Sequence, residues 1–119
     1  DMGPTADGFL VVDKPGGMTS RDVVNRAQRW FPRRTKIGHT GTLDPLATGV
    51  LVVCVGPATR LADRVQAMGK SYASRFRLGA TSDSDDADGA VTEVPAAPVP
   101  TREQIDAAAG RFVGVIEQL

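Results

Sequence analysis

At 119 residues, 41% of them apolar, the chain has enough for one modest core and one compact unit by default, and its formal charges balance at zero. A single cysteine, Cys54, excludes a disulfide framework and a Cys/His zinc cluster, and it is expected as a buried, inert thiol. No apolar run approaches the ~20 residues of a membrane span, and DMGPTADG lacks the basic and apolar regions of a signal peptide, so a cytoplasmic protein is expected.

Residues 1–7 read as a flexible N-terminus. GFLVVDKP (8–15) then reads as a short buried strand stopped by Pro15 and the Gly16-Gly17 pair. A helix is expected over 19–31. Thr19 is a natural N-cap with Asp22 three residues on, and Val23, Val24, Ala27, Trp30 and Phe31 share one face before Pro32. Arg21, Asn25, Gln28 and Arg29 occupy the other face. The basic link PRRTK leads into the loop GHTGTLDPLATG, after which VLVVCV (50–55) reads as a central strand closed by Gly56-Pro57.

A second helix is expected over about 58–68, with Leu61, Val65 and Met68 inward and Gly69 as C-cap. SYASRFRL (71–78) alternates, with Tyr72, Phe76 and Leu78 on one face and Arg75 and Arg77 on the other, the pattern of a half-exposed strand. TSDSDDADG (81–89) resembles part of an EF-hand loop but fails its test. Aligning Gly89 with that loop's invariant glycine puts Ser84 at the first ligand and Pro95 where the bidentate glutamate belongs. The segment is read instead as a polar hairpin loop into AVTEV, with no metal expected. PAAPVP is a stiff connector, Thr101 and Gln104 form a capping box for a last helix with Ile105, Ala108, Ala109 and Phe112 at core spacing, and VGVIEQL reads as the start of a further strand. Helices and strands alternate without an internal repeat, which indicates an α+β or α/β class.

The zero net charge conceals a polarity. Residues 1–80 carry 12 Lys/Arg against 6 Asp/Glu, and residues 81–119 carry 2 against 8. Between Lys14 and Lys36, seven cations (Lys14, Arg21, Arg26, Arg29, Arg33, Arg34, Lys36) accompany one acid, Asp22. A polyanionic partner on one side explains this, and so does a solvated helix face beside an acidic loop.

GHTGTLDPLATGVL (38–51) holds the only histidine, His39, and Asp44, the only acid between Val23 and Ala62. An aspartate before proline shapes a turn as ordinary structure. Gly38 and Gly41 also let backbone pass close to a ligand, and Thr40, Thr42 and Thr48 offer hydroxyls to a ribose or phosphate. The loop has neither Walker spacing nor a strand-to-helix GxGxxG context, and no serine or cysteine stands beside His39 within it. His39 fits packing or RNA stacking better than general-base work. A lone carboxylate among apolar and hydroxyl groups fits a nucleophile or ion-pair stabiliser at an anomeric carbon.

GHTGTLDPLATGVL resembles the catalytic motif of the TruB-type tRNA pseudouridine synthases. GFLVVDKPGGMTS is similar to that family's N-terminal Lys-Pro motif, KSY to its Lys-x-Tyr motif, and RLGATSDSDDADG to the stretch that follows, in the same order over residues 8–118. The resemblance implies an α+β fold, a mixed and mainly antiparallel sheet flanked by helices, of which residues 8–119 supply the N-terminal part. It implies isomerisation of uridine 55 to pseudouridine in the tRNA T-loop, with no cofactor or metal. Asp44 is then the catalytic aspartate, acting at C1′ or assisting proton loss from the sugar, and Tyr72 stacks on the uracil and serves proton transfer at C5. His39 is implied to pack into the RNA loop in place of flipped bases, and Lys14 to support the active-site region. Gly41, Thr42, Arg33, Arg34, Lys36 and Lys70, together with Lys14, are the expected RNA-binding residues, and the tRNA T-stem-loop is the expected partner.

Two departures bear on these expectations. Arg21 stands where many members have histidine, and the family's later motifs, among them the arginine that pairs with the catalytic aspartate, are missing. The chain alone is therefore expected to be weak or inactive. The competing class is a non-catalytic RNA-binding module or folding scaffold. A nucleosidase would need a second positioned carboxylate, which no residue outside the acidic loop supplies.

Overall fold

The computed structural model describes residues 6–96 and 98–117, and the chain divides after Tyr72 into two compact units, in place of the single unit that its length suggests. Of the expected flexible N-terminus, residues 1–5 lie outside the described residues, while the Asp7 carboxylate accepts the Ala58 N–H at 2.8 Å.

The first unit is built on a three-stranded sheet of β1 (Gly8–Lys14), β2 (Ile37–Thr40) and β3 (Gly49–Val55), in the order β1-β3-β2, with both pairings antiparallel. VLVVCV is thus the central strand that its β-branched run indicates. Gly8 lies opposite Val55 and Lys14 opposite Gly49, while His39 lies opposite Val53. β1 is an edge strand rather than a buried one. Its alternation turns Leu10, Val12 and Lys14 inward and leaves Phe9 and Val11 exposed.

The inward face is covered by α1 (Ser20–Gln28), whose buried residues Ser20, Val23, Val24 and Ala27 recur at helical spacing. Val23 joins Leu51 and Val53 in the core, with Leu10, Val12, Met18, Ile37 and Leu43 packed around them. Each such aliphatic side chain contributes about 1.5–3 kcal/mol when fully buried. The capping box forms as its residues indicate: the Thr19 hydroxyl accepts the Asp22 N–H at 2.9 Å and the Asp22 carboxylate accepts the Thr19 N–H at 3.0 Å. The helix stops earlier than Pro32. The N–H groups of Trp30 and Phe31 bond to the Ala27 and Gln28 carbonyls, a tighter i→i+3 winding that carries Trp30 off the inward stripe and leaves it exposed.

After β3 the expected second helix opens as a 3₁₀ turn (Gly56–Leu61) with Pro57 in its first turn and continues as the short α2 (Ala62–Gln66). Leu61 and Met68 are exposed and Val65 is half-buried, so the expected inward stripe is only partly realised. Cys54 is buried as expected, and burial pushes its thiol pKa up, away from the reactive thiolate.

The second unit contains a hairpin of β4 (Ala80–Ser82) and β5 (Val91–Glu93) and the helix α3 (Arg102–Gly110), capped by Thr101 and Gln104 as read from the sequence. The acidic loop satisfies itself. Asp83 accepts the Ala90 N–H at 2.7 Å, and Asp86 accepts the Asp88 N–H and the Ser84 hydroxyl, each at 2.8 Å. Residues 71–77 form no strand, because no described segment pairs with them; Phe76 and Leu78 instead line an open apolar cavity of about 680 Å³ with Ile105, Ala108 and Ala109 of α3 and with Phe112 in the turn after it. Residues 113–117 are turn and irregular rather than strand, and residues 118–119 of that expected strand lie outside the described residues. Helices with antiparallel sheets make the fold α+β. Among the described residues, no helix is long and apolar enough to cross a membrane.

Candidate active site

The connection from β2 to β3, residues 41–48, carries Asp44 and is pinned on both flanks by the stretch from Lys14, the last residue of β1, to Ser20, the first of α1. Lys14 ends the inward row of β1 and is completely buried. Its ammonium donates to the carbonyls of Pro15 at 2.9 Å, Met18 at 2.6 Å and Pro45 at 3.2 Å. The Gly17 N–H donates to the same Pro45 carbonyl at 2.7 Å. On the other flank, the buried Ser20 hydroxyl accepts the Leu43 N–H at 3.0 Å and donates to the Leu43 carbonyl at 3.3 Å. Asp44 therefore lies between two anchored residues, and the Ala47 N–H closes a turn on its carbonyl at 2.9 Å. Its side chain is exposed.

Three donors on an ammonium satisfied by three carbonyls leave none for a phosphate. Lys14 is thereby set apart from the cations with which its charge had grouped it: it holds the loop from beneath.

His39, on β2, is half-buried, and its Nδ1 lies 3.1 Å from the Gly41 carbonyl. A carbonyl can only accept, so Nδ1 carries the hydrogen of this bond. The Thr40 hydroxyl donates to the Val52 carbonyl at 3.2 Å and is buried, which removes it from the hydroxyls open to a ribose; Thr42 and Thr48 remain exposed. Gly41 has φ +66°, and a Cβ there would lie 2.7 Å from the Lys70 Nζ. Glycine at 41 thus lets the Lys70 ammonium rest directly on the loop backbone.

His39, Gly41, Asp44, Lys14 and Lys70 are brought together around this loop. Tyr72 follows Lys70 by two residues in an irregular segment and is 71% exposed. Among the described residues, no hydrogen bond joins Tyr72 to Asp44, and neither ion pair, Arg77 with Glu93 or Arg102 with Asp106, involves Asp44. Arg33, Arg34 and Lys36 are exposed on the link into β2, and Arg21 and Arg26 are exposed on α1, as is Arg29 at its C-cap. Arg26 and Arg29 line a shallow hollow of about 400 Å³ with Met18, Asp22 and Asn25. Within it, the hydrogen bonds from the Thr19 N–H and then its side chain hold the Asp22 carboxyl below the ordinary carboxylate value, and the Lys14 charge adds to this. Among the described residues, no group of three or more His, Cys, Asp or Glu side chains could hold a metal ion.

Ser20 is the site residue that reading the sequence for chemistry missed, although a signal existed. Its spacing with Val23, Val24 and Ala27 puts a hydroxyl on the buried stripe of α1, where it must find a partner.

Comparison with known proteins bears on the family of the chain. The sequence model of the TruB family pseudouridylate synthase N-terminal domain matches residues 28–119. Proteins named tRNA pseudouridine synthase B are similar throughout: that of Mycobacterium tuberculosis is 48% identical over 118 residues, 99% of this chain and 39% of that protein. The protein of that name from Mycobacterium sp. (strain KMS) is 50% identical over 112 residues, 94% of this chain and 37% of its own length. The one from Mycolicibacterium paratuberculosis is 48% identical over 112 residues, 94% and 38% respectively. The chain spans about two fifths of the length of these relatives.

Proposed function

Because the chain belongs to the TruB family of pseudouridylate synthases, we propose that it supplies the catalytic aspartate loop of an enzyme that isomerises uridine to pseudouridine in the T-loop of tRNA. The observation that carries this reading is an exposed carboxylate on a loop whose backbone is anchored immediately before and after it. Anchoring fixes where the acid stands, and exposure leaves it open to a substrate.

The reaction is balanced within uridine. The N1–C1′ bond breaks, the base turns, C5 joins C1′, C5 loses a proton and N1 gains one. The leaving group is also the incoming nucleophile, so one carboxylate suffices where a glycosidase uses two. Asp44 attacks C1′ or assists proton loss from the sugar, and Tyr72 stacks on the uracil and serves the C5 proton. A uridine in a structured loop must first be extruded, at a cost of a few kcal/mol, which His39 offsets by packing into the RNA loop. Gly41 and Thr42 line the approach, and Lys70, Arg33, Arg34 and Lys36 meet phosphates. Lys14 holds the Pro45 side of the loop. The tRNA T-stem-loop is the partner, no cofactor or metal takes part, and the reaction belongs to the cytoplasm.

The test is pseudouridine formation in an unmodified tRNA T-stem-loop by this chain, by the chain extended to the length of its relatives, and by the Asp44→Asn form of each. The extended wild type is expected to make product, and Asp44→Asn to lower turnover at least about 10³-fold with tRNA binding nearly intact. An extended wild type that binds the RNA and makes no product would overturn the enzyme reading in favour of a binding module.

A further inference from the structure

Resting on the reading of Asp44 as the catalytic carboxylate, we propose that Ser20 is a positioning residue for the isomerisation, fixing the peptide plane from which Asp44 projects. An N-terminal serine of a helix ordinarily uses its hydroxyl to cap that helix. Here Thr19 performs the capping, through reciprocal bonds with Asp22. The Ser20 hydroxyl is therefore free for a partner 23 residues away, and it makes both of its bonds to one residue, accepting from the Leu43 N–H at 3.0 Å and donating to the Leu43 carbonyl at 3.3 Å.

That carbonyl belongs to the peptide joining Leu43 to Asp44, so holding it sets the plane in which the Asp44 N–H lies. On the other side Pro45 restricts the backbone of Asp44 to extended angles, and its carbonyl is held by Lys14 and Gly17. The remaining freedom of Asp44 is then mainly that of its side chain. Ser20 is only 2% exposed, so water does not compete freely for these bonds. Because α1 carries Ser20 on the same stripe that packs Val23 against the sheet, the core of this unit and the placement of the acid are mechanically one piece.

The experiment compares Ser20→Ala, which removes donor and acceptor, with Ser20→Thr, which keeps both, in the chain extended to the length of its relatives. Ser20→Ala is expected to lower kcat about 10- to 100-fold with KM and tRNA affinity changed less than about twofold, and Ser20→Thr to restore most of the loss. Amide exchange at Leu43 is expected to speed up at least about tenfold in Ser20→Ala while exchange at Val53 keeps its rate. Wild-type kcat in Ser20→Ala with unchanged Leu43 exchange overturns the proposal. So does a loss of kcat accompanied by equal acceleration at Val53, which marks general destabilisation. Turnover that survives Asp44→Asn sinks the catalytic reading separately, since Leu43 exchange needs no turnover and still decides whether Ser20 fixes the loop.

Discussion

Alanine at position 41 would have to adopt φ +66°, where a Cβ crowds its own backbone at about 1–2 kcal/mol. The side chain that it would meet is the far end of Lys70, which can swing away. Gly56, at φ +65°, is different, because its Cβ would run into the Ala6 carbonyl, a backbone atom. Gly41→Ala is therefore expected to cost about 1–2 kcal/mol and Gly56→Ala distinctly more, read as shifts in the urea midpoint at constant slope. Equal shifts would mean that neither close approach matters. Lys14→Met, similar in length but without donors, leaves the Pro15 and Met18 carbonyls without their ammonium partner, and should cost about 3 kcal/mol in the same measurement. The position of Lys14 was legible in the strand: a residue two beyond Val12 and four beyond Leu10 must share their inward face. Charge counting concealed it by grouping Lys14 with its exposed neighbours. Ser20 was hidden for a related reason, as a polar residue at a buried helical position has no chemistry of its own until its partner across the fold is known.

Both capped helices carry the same reciprocal device, but only α1 is packed along its length, with four buried residues against none in α3. Thr19→Ala is expected to lower stability by about 1 kcal/mol. In α3, Thr101→Ala should mainly lower local helicity, because an unpacked nine-residue helix depends on its ends. Asp22 adds a pH dependence. Its folded-state pKa is depressed, so the stability that it contributes is fully present above the ordinary carboxylate value and is lost as pH falls through the lower folded value. Asp22→Asn should flatten the acid limb of the thermal midpoint between those two values, and an unchanged limb would show that the cap does not titrate with folding. Local patterning was a good guide where the chain supplies its own cue, as in the capping boxes, the β-branched run of β3 and the acidic hairpin. It failed where a tertiary partner decides. β2 is four residues long and includes Gly38, so it exists only by pairing with β3, whereas 71–77 alternates well and has no strand to pair with among the described residues.

Charge polarity follows the division of the chain: the portion ending at Tyr72 holds 10 Lys/Arg and 6 Asp/Glu, and the remainder 4 and 8. The asymmetry was legible in the sequence, but the boundary was not, since a composition change does not show where long-range contacts cease. Two explanations of the basic cluster predict different responses to salt. A merely solvated face contributes little to any complex. Phosphate contacts release condensed counterions, and each steepens the fall of log K with log salt by about 0.7–0.9. Arg33, Arg34 and Lys36 are exposed, and neither ion pair among the described residues uses them, so each can meet a phosphate without breaking an internal bond. Titrating the T-stem-loop at a series of salt concentrations should therefore give a steep slope, which the Arg33→Ala/Arg34→Ala double variant reduces by about 1.5. Lys14→Met, which removes one charge from a buried position already bonded to three carbonyls, should weaken folding without changing that slope. A slope that responds to Lys14 and not to the arginine pair would place the RNA on a different face from the one the exposed cations mark.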